Sequence, residues 1–143
     1  MKKRIPMILS MVLTTGLFIS PAISVQAAPH LNPYNTVPAE VTFGQSGVEI
    51  IEDNGGKVVS SIDPGDYFLV KDLNFDKGLA TIGITYKTDQ ASMIEVHKDS
   101  AEGELLGSFR LSNTNGEYKT LIATMSNIEG MNNIAFVGKL GSV

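Results

Sequence analysis

The chain is predicted to be all-β, a two-layered sandwich or barrel, and three observations predict it. Past the N-terminal segment, short stretches alternate apolar and polar residues with a period of two, as half-buried strands do. Clusters of Gly, Asn, Asp and Pro separate these stretches at spacings of roughly 8 to 12 residues. No part of the chain beyond that segment carries the 3.6-residue period of a helix.

Residues 1–27 read as a secretory leader. Lys2, Lys3 and Arg4 form a positive start, Ile8 to Ile19 an apolar stretch, and Val25-Gln26-Ala27 a small-residue cleavage site. The apolar stretch is too short and too broken by Thr, Gly and Pro to read as a membrane span. The expected product is therefore secreted and extracellular, cut after Ala27. Without Lys2, Lys3 and Arg4 it carries 8 basic and 15 acidic residues, a net charge near −7. That balance argues against nucleic acid and anionic membrane, both of which reward a basic face. Cysteine is absent, so packing, with or without a bound cation, must supply what disulfides give many small exported domains.

Residues 28–37 read as a linker rich in Pro and Asn, and 38–143 as one domain of ordinary size. Val48 and Ile50 alternate with Glu49 and Ile51, and Asp53-Asn54-Gly55-Gly56 is a hairpin turn. Lys57 to Ile62 is a short strand closed by Asp63-Pro64-Gly65. In the next strand Tyr67, Leu69, Lys71 and Leu73 face one side, and Phe68 and Val70 the other. Ala80, Ile82, Ile84 and Tyr86 form the apolar side of a longer strand. Ile94 and Val96 then oppose Glu95 and His97, and Asp99, Ser100 and Gly103 reverse the chain. A strand from Glu104 sets Leu105, Gly107, Phe109 and Leu111 against Leu106, Ser108 and Arg110. Asn113 to Gly116 turns again, Lys119 to Thr124 opens another strand, and Asn133 to Leu140 is the last.

The run IEVHKDSAEGELLGSFRLSNTNGEYKT resembles the central hairpin of carbohydrate-binding modules of family 6. The shared positions are Ile94, Glu95, Val96, Asp99, Ser100, Gly103, Leu105, Gly107, Ser108, Thr114 and Gly116. Ala39-Glu40, Ser46-Gly47-Val48, Gly55-Gly56, Ile62 to Tyr67 and Asp72 to Phe75 extend the resemblance over most of the domain. Leu31 to Asn35 is similar to the lead-in of such modules in bacterial arabinoxylan-degrading enzymes. The resemblance implies a jelly-roll β-sandwich of the galactose-binding-like kind, a structural calcium and a glycan cleft at its loop end. It also implies a last strand of the form F-N-I-D that this chain lacks, leaving a sheet edge that invites self-association.

Sugar binding asks for aromatic rings against the apolar face of a pyranose and polar side chains for its hydroxyls. The positions the resemblance assigns to stacking rings hold Ser61 and Glu117 here, with Tyr118 one residue on. Tyr118, Glu117, Ser61 and Asn115 are thus the expected carbohydrate-binding residues, and Glu40 the expected calcium ligand. Neither His30 nor His97 sits in a nucleophile or metal pattern, and the carboxylates of Glu102 and Glu104 flank an exposed tight turn, where raised pKa values are not expected. A non-catalytic protein is expected, binding plant cell-wall polysaccharide of the xylan or arabinoxylan class. The alternatives are a sandwich with a degenerate cleft that acts through protein contacts, or a remnant of a secreted glycoside hydrolase.

Overall fold

The computed structural model describes residues 7–12, 31–39 and 44–139. Within them the chain forms two antiparallel sheets over one core. The strands are β1 (Met7–Val12), β2 (Thr36–Val37), β3 (Gly44–Ser46), β4 (Glu49–Asp53), β5 (Gly56–Ser60) and β6 (Tyr67–Phe75). They continue as β7 (Thr81–Thr88), β8 (Ser92–Lys98), β9 (Leu105–Leu111), β10 (Lys119–Thr124) and β11 (Gly130–Lys139). The first sheet runs β10-β7-β1-β5-β4, with β2 alongside β1, and the second runs β3-β6-β11-β8-β9.

Alternation decides the inner faces. Ile82, Ile84 and Tyr86 of β7 point inward from the first sheet, and Ile94 and Val96 of β8 from the second, all buried. Phe68 and Phe136 stack at the centre of the second sheet with ring centroids 5.0 Å apart. Burying such rings removes a large apolar area from water and so stabilises the core.

Two bulges change the expected phase. Val70 pairs with Ile134 and Leu73 with Asn132, so Lys71 and Asp72 together oppose Asn133. Asp72 takes φ 56° there and its N–H donates to Asn133 Oδ1 at 2.9 Å. The extra residue turns Leu73 and Phe75 to the same face as Phe68 and Val70, and all four are buried. Leu73 therefore does not share a face with Tyr67 and Leu69. In β9, Gly107 pairs with Val96 and Leu105 with His97, which leaves Leu106 as the additional residue. Leu106 is buried and Leu105 exposed, the reverse of simple alternation.

The hairpin's third strand changes layer. β10 pairs with β7 in the first sheet, Lys119 opposite Tyr86 through Thr124 opposite Thr81, rather than with β9. Beyond it, Met125 N–H donates to Ala80 O and Ser126 N–H to Leu106 O, both at 2.8 Å, tying the two sheets at one corner. Gly107 lies under that corner, where a Cβ would come within 2.6 Å of Met125 Sδ and 2.8 Å of Thr124 O.

Residues 31–37, expected as linker, belong to the sandwich. Val37 pairs with Met11, Val37 and Ala39 are buried in the core, and Leu31 packs against it. Met7–Val12, inside the expected leader, forms the central strand of the first sheet.

Candidate functional site

At one rim the chain passes from β9 to β10 through a turn that its own sequence shapes. Asn115 at φ 54° and Gly116 at φ 83° occupy the two left-handed positions of a type I′ turn, closed by Glu117 N–H donating to Thr114 O at 3.1 Å. Asn-Gly suits this turn because both residues accept positive φ at low steric cost. Thr114 is buried and fastens the turn to the end of β7. Its N–H and hydroxyl donate to Thr88 O at 2.8 and 3.1 Å, and its Oγ1 accepts from Thr88 N–H at 3.1 Å. Asn113 Nδ2 donates to Asp89 O at 2.7 Å, and its Oδ1 accepts from Asn115 N–H at 2.7 Å. The exposed product is a rigid shelf carrying Asn115 and Glu117.

Tyr118 leaves that shelf half-buried, and two distant residues hold it. The β4–β5 hairpin tip, another type I′ turn with Asn54 at φ 52° and Gly55 at φ 84°, brings Asp53 to the ring's hydroxyl. Tyr118 Oη donates to Asp53 Oδ2 at 2.6 Å, and Lys87 Nζ of β7 donates to the same oxygen at 2.6 Å. The ammonium also lies 5.0 Å from the Tyr118 ring centroid, a cation–π contact. The Lys87 hydrogen bond, then that of Tyr118, hold the Asp53 carboxyl below the usual carboxylate range. Burial first, then the hydrogen bond to the Asp53 anion, push the Tyr118 phenol well above its ordinary value. The group therefore presents a neutral, immobilised ring. Its hydroxyl is committed to the protein, and the Lys87 ammonium lies over its ring.

Ser61 has a different setting. It sits at the base of the same β4–β5 hairpin, buried, at φ 60°, with its hydroxyl donating to Glu49 Oε2 at 3.3 Å. Asn115, Glu117 and Tyr118 are brought into one turn, and Ser61 is spent on its own neighbourhood. Glu40 lies outside the described residues. No group of three or more His, Asp or Glu side chains able to hold a metal occurs among the described residues.

Chemistry elsewhere is equally committed. His97 Nδ1 is 2.8 Å from Gly103 O and its Nε2 2.9 Å from Glu95 Oε2, and Lys139 Nζ approaches the same carboxylate at 3.6 Å. The His97 hydrogen bond is the main reason the Glu95 carboxyl lies below its ordinary range. An open pocket of about 270 Å³ is lined by Tyr34, Lys77, Gly78, Leu79, Ala80 and Asn127. There Tyr34 Oη donates to Gly78 O at 3.0 Å and accepts from Lys77 N–H at 2.8 Å.

Comparison with known proteins decides the family. Residues 38–142 match the carbohydrate-binding module of family 6. The chain belongs to that family. Modules of this family are non-catalytic, although its relatives are parts of hydrolases. An arabinoxylan arabinofuranohydrolase of Bacillus subtilis is 35% identical over 121 residues, covering 76% of this chain and 23% of that protein. Its counterpart in Paenibacillus polymyxa is 32% identical over 117 residues, 76% of this chain and 18% of that protein. The chain thus spans about a fifth of the length of these curated relatives. Among solved structures, a β-1,3-glucan-binding family 6 module of Bacillus halodurans superposes with TM-score 0.71 at 28% identity, covering 78% of this chain and 87% of that one. A Clostridium stercorarium module in complex with cellobiose gives TM-score 0.69 at 26% identity, with 73% and 83% covered.

Sequence reasoning singled out Tyr118 but missed the residues that hold it. Asp53 reads locally as a turn former and nothing in the local pattern singles out Lys87, and only the hairpin tip's path to β7 joins them to a ring 65 positions away from Asp53. In the first sheet the single local hint was the Asn54-Gly55 turn, which fixes where Asp53 points.

Proposed function

We propose that this module binds plant cell-wall polysaccharide of the xylan or arabinoxylan class outside the cell, on the rim formed by residues 113–118. The Tyr118 ring covers the apolar face of a sugar, and Asn115 and Glu117 take its hydroxyls. The observation that carries this reading is the anchoring of Tyr118 by Asp53 and Lys87 beside an exposed polar turn. A ring already held in one position gives up little conformational entropy when a ligand arrives. The arabinoxylan-degrading relatives supply the glycan class. A structural calcium held in part by Glu40 belongs to the same proposal.

A second reading is a module whose glycan cleft is degenerate and which acts through protein contacts. The buried, internally bonded Ser61 and the chain's lack of Trp favour it. Affinity electrophoresis through gels containing soluble xylan or arabinoxylan, with and without a chelator, tests both. The first reading expects retardation that Tyr118→Ala weakens at least about tenfold, roughly 1.4 kcal/mol, and a calcium role expects the chelator to weaken it too. Mobility unchanged by every glycan removes the first reading and leaves the second.

A further inference from the structure

Asparagine followed directly by glycine occurs twice in the chain, at Asn54-Gly55 and at Asn115-Gly116. Each pair fills the two left-handed positions of a type I′ turn, at φ 52° and 84° in the first and φ 54° and 83° in the second. The two turns bracket one side chain. Asp53, the residue before the first pair, accepts from the Tyr118 hydroxyl at 2.6 Å, and Tyr118 itself lies just past the second pair.

Both pairs leave open what an intramolecular attack on an asparagine amide needs. All four residues are exposed. Among the described residues, the side-chain amides of Asn54 and Asn115 and the N–H groups of Gly55 and Gly116 enter no hydrogen bond. A Cβ built on either glycine meets nothing within 4 Å, so no neighbour crowds the nitrogen beside it. Other asparagines are tied down and precede a residue with a bulkier side chain. Asn127 Oδ1 accepts from Leu79 N–H, Asn133 Oδ1 from Asp72 N–H, and Asn132 Nδ2 donates to Glu129 O.

We propose that Asn54 and Asn115 are sites of spontaneous deamidation, and that conversion of Asn54 to isoaspartate frees Tyr118 from Asp53. The glycine nitrogen, having given its proton to hydroxide, attacks Cγ of the preceding asparagine. A C–N bond forms there, the Cγ–Nδ2 bond breaks, and Nδ2 leaves as ammonia. Water then opens the cyclic imide at either carbonyl, returns a proton to the nitrogen, and leaves aspartate or isoaspartate. One water enters and one ammonia departs, nothing is oxidised or reduced, and each event adds one negative charge. Isoaspartate also routes the main chain through the side-chain carbons, which lengthens the turn by a methylene. Only Asn54 and Gly55 separate the paired residues Asp53 and Gly56, so the first turn has no slack for the extra atom and Asp53 is carried away from the Tyr118 hydroxyl. This inference does not rest on glycan binding.

The full-length chain, folded and held in warm, mildly alkaline buffer, should move by two successive acidic steps on isoelectric focusing. Peptide maps should place aspartate and isoaspartate at positions 54 and 115. Asn54→Gln and Asn115→Gln should each abolish one step, and the double variant both. The same chain unfolded in guanidinium chloride serves as the clock. A folded protein that keeps both asparagines over the time in which the unfolded chain loses them overturns the proposal, and so does conversion concentrated at other asparagines. For the second half, the form carrying isoaspartate at 54 is separated by its charge. It should lose the near-ultraviolet dichroism that Tyr118→Leu also removes, while Asn54→Asp, which adds the charge without lengthening the chain, should keep it. An isoaspartyl form with that signal intact would sink the link to Tyr118.

Discussion

The two sheets build the same thing, an apolar inner face, by different routes. The second sheet is assembled wholly from residues 44–139 and corrects its phase with bulges at Asp72 and Leu106, so that Leu73, Phe75 and Leu106 join the core. The first keeps strict alternation through Ile82, Ile84 and Tyr86, but its middle position is filled from the far N-terminal end of the chain. It also carries Lys87, Asp53 and Tyr118 at its rim. The contrast teaches that one layer settles its core by local phase shifts, while the other joins residues far apart in the sequence. One sheet closes its inner face with bulges, and the other carries the Asp53, Lys87 and Tyr118 group at its rim.

Substitutions can break or sharpen that division. Phe136→Ala, which removes half of the central ring stack, should cost about 3–5 kcal/mol and lower the denaturation midpoint of the whole domain in a single transition. Loss confined to one sheet would contradict a shared core. Gly138→Ala should cost about 1–3 kcal/mol, because its Cβ would meet the Asp63 backbone oxygen at 2.4 Å and Ile62 Cγ2 at 2.8 Å. The same denaturation series measures it.

On the first sheet the expected effects are smaller and depend on pH. A carboxylate whose pKa is depressed on folding, as Asp53's is, stabilises above its unfolded value near 3.9, and the contribution drains away as pH falls through the folded value. Tyr118, raised on folding, contributes fully below about pH 10 and loses that contribution as pH climbs through its folded value. With no Trp in the chain, tyrosine absorbance and emission report both limbs, and Asp53→Asn should make the acid limb shallower, leaving the part that belongs to Glu95. Thr85→Val, which removes only the exposed contact to the Thr120 hydroxyl at 3.2 Å, should stay within about 0.5 kcal/mol of the parent by thermal melting.

Much of this was legible in the sequence, and the gaps have a common cause. Alternation located β7, β8 and β10 and the inward residues of the first two, and Asn-Gly pairs located both type I′ turns. What escaped depends on the partner strand. The extra residues at Asp72 and Leu106 are bulges only relative to Asn133 and to β8, and nothing in the local pattern of β10 says that it pairs with β7 rather than with β9. The leader-like composition of Met7–Val12 is also that of a strand, since both demand uncharged apolar runs. At the rim, Tyr118 and its turn could be read locally. Its anchors could not, because a hydrogen bond to Asp53 follows from topology rather than from pattern.

The Thr88–Thr114 clamp has a kinetic consequence. The loop between β9 and β10 is bolted to the sheet by three hydrogen bonds, so a glycan binding there as proposed would meet a turn already held in place. Association with any glycan at this rim should then be limited by encounter alone, and selectivity among sugars should be written in how fast each one leaves.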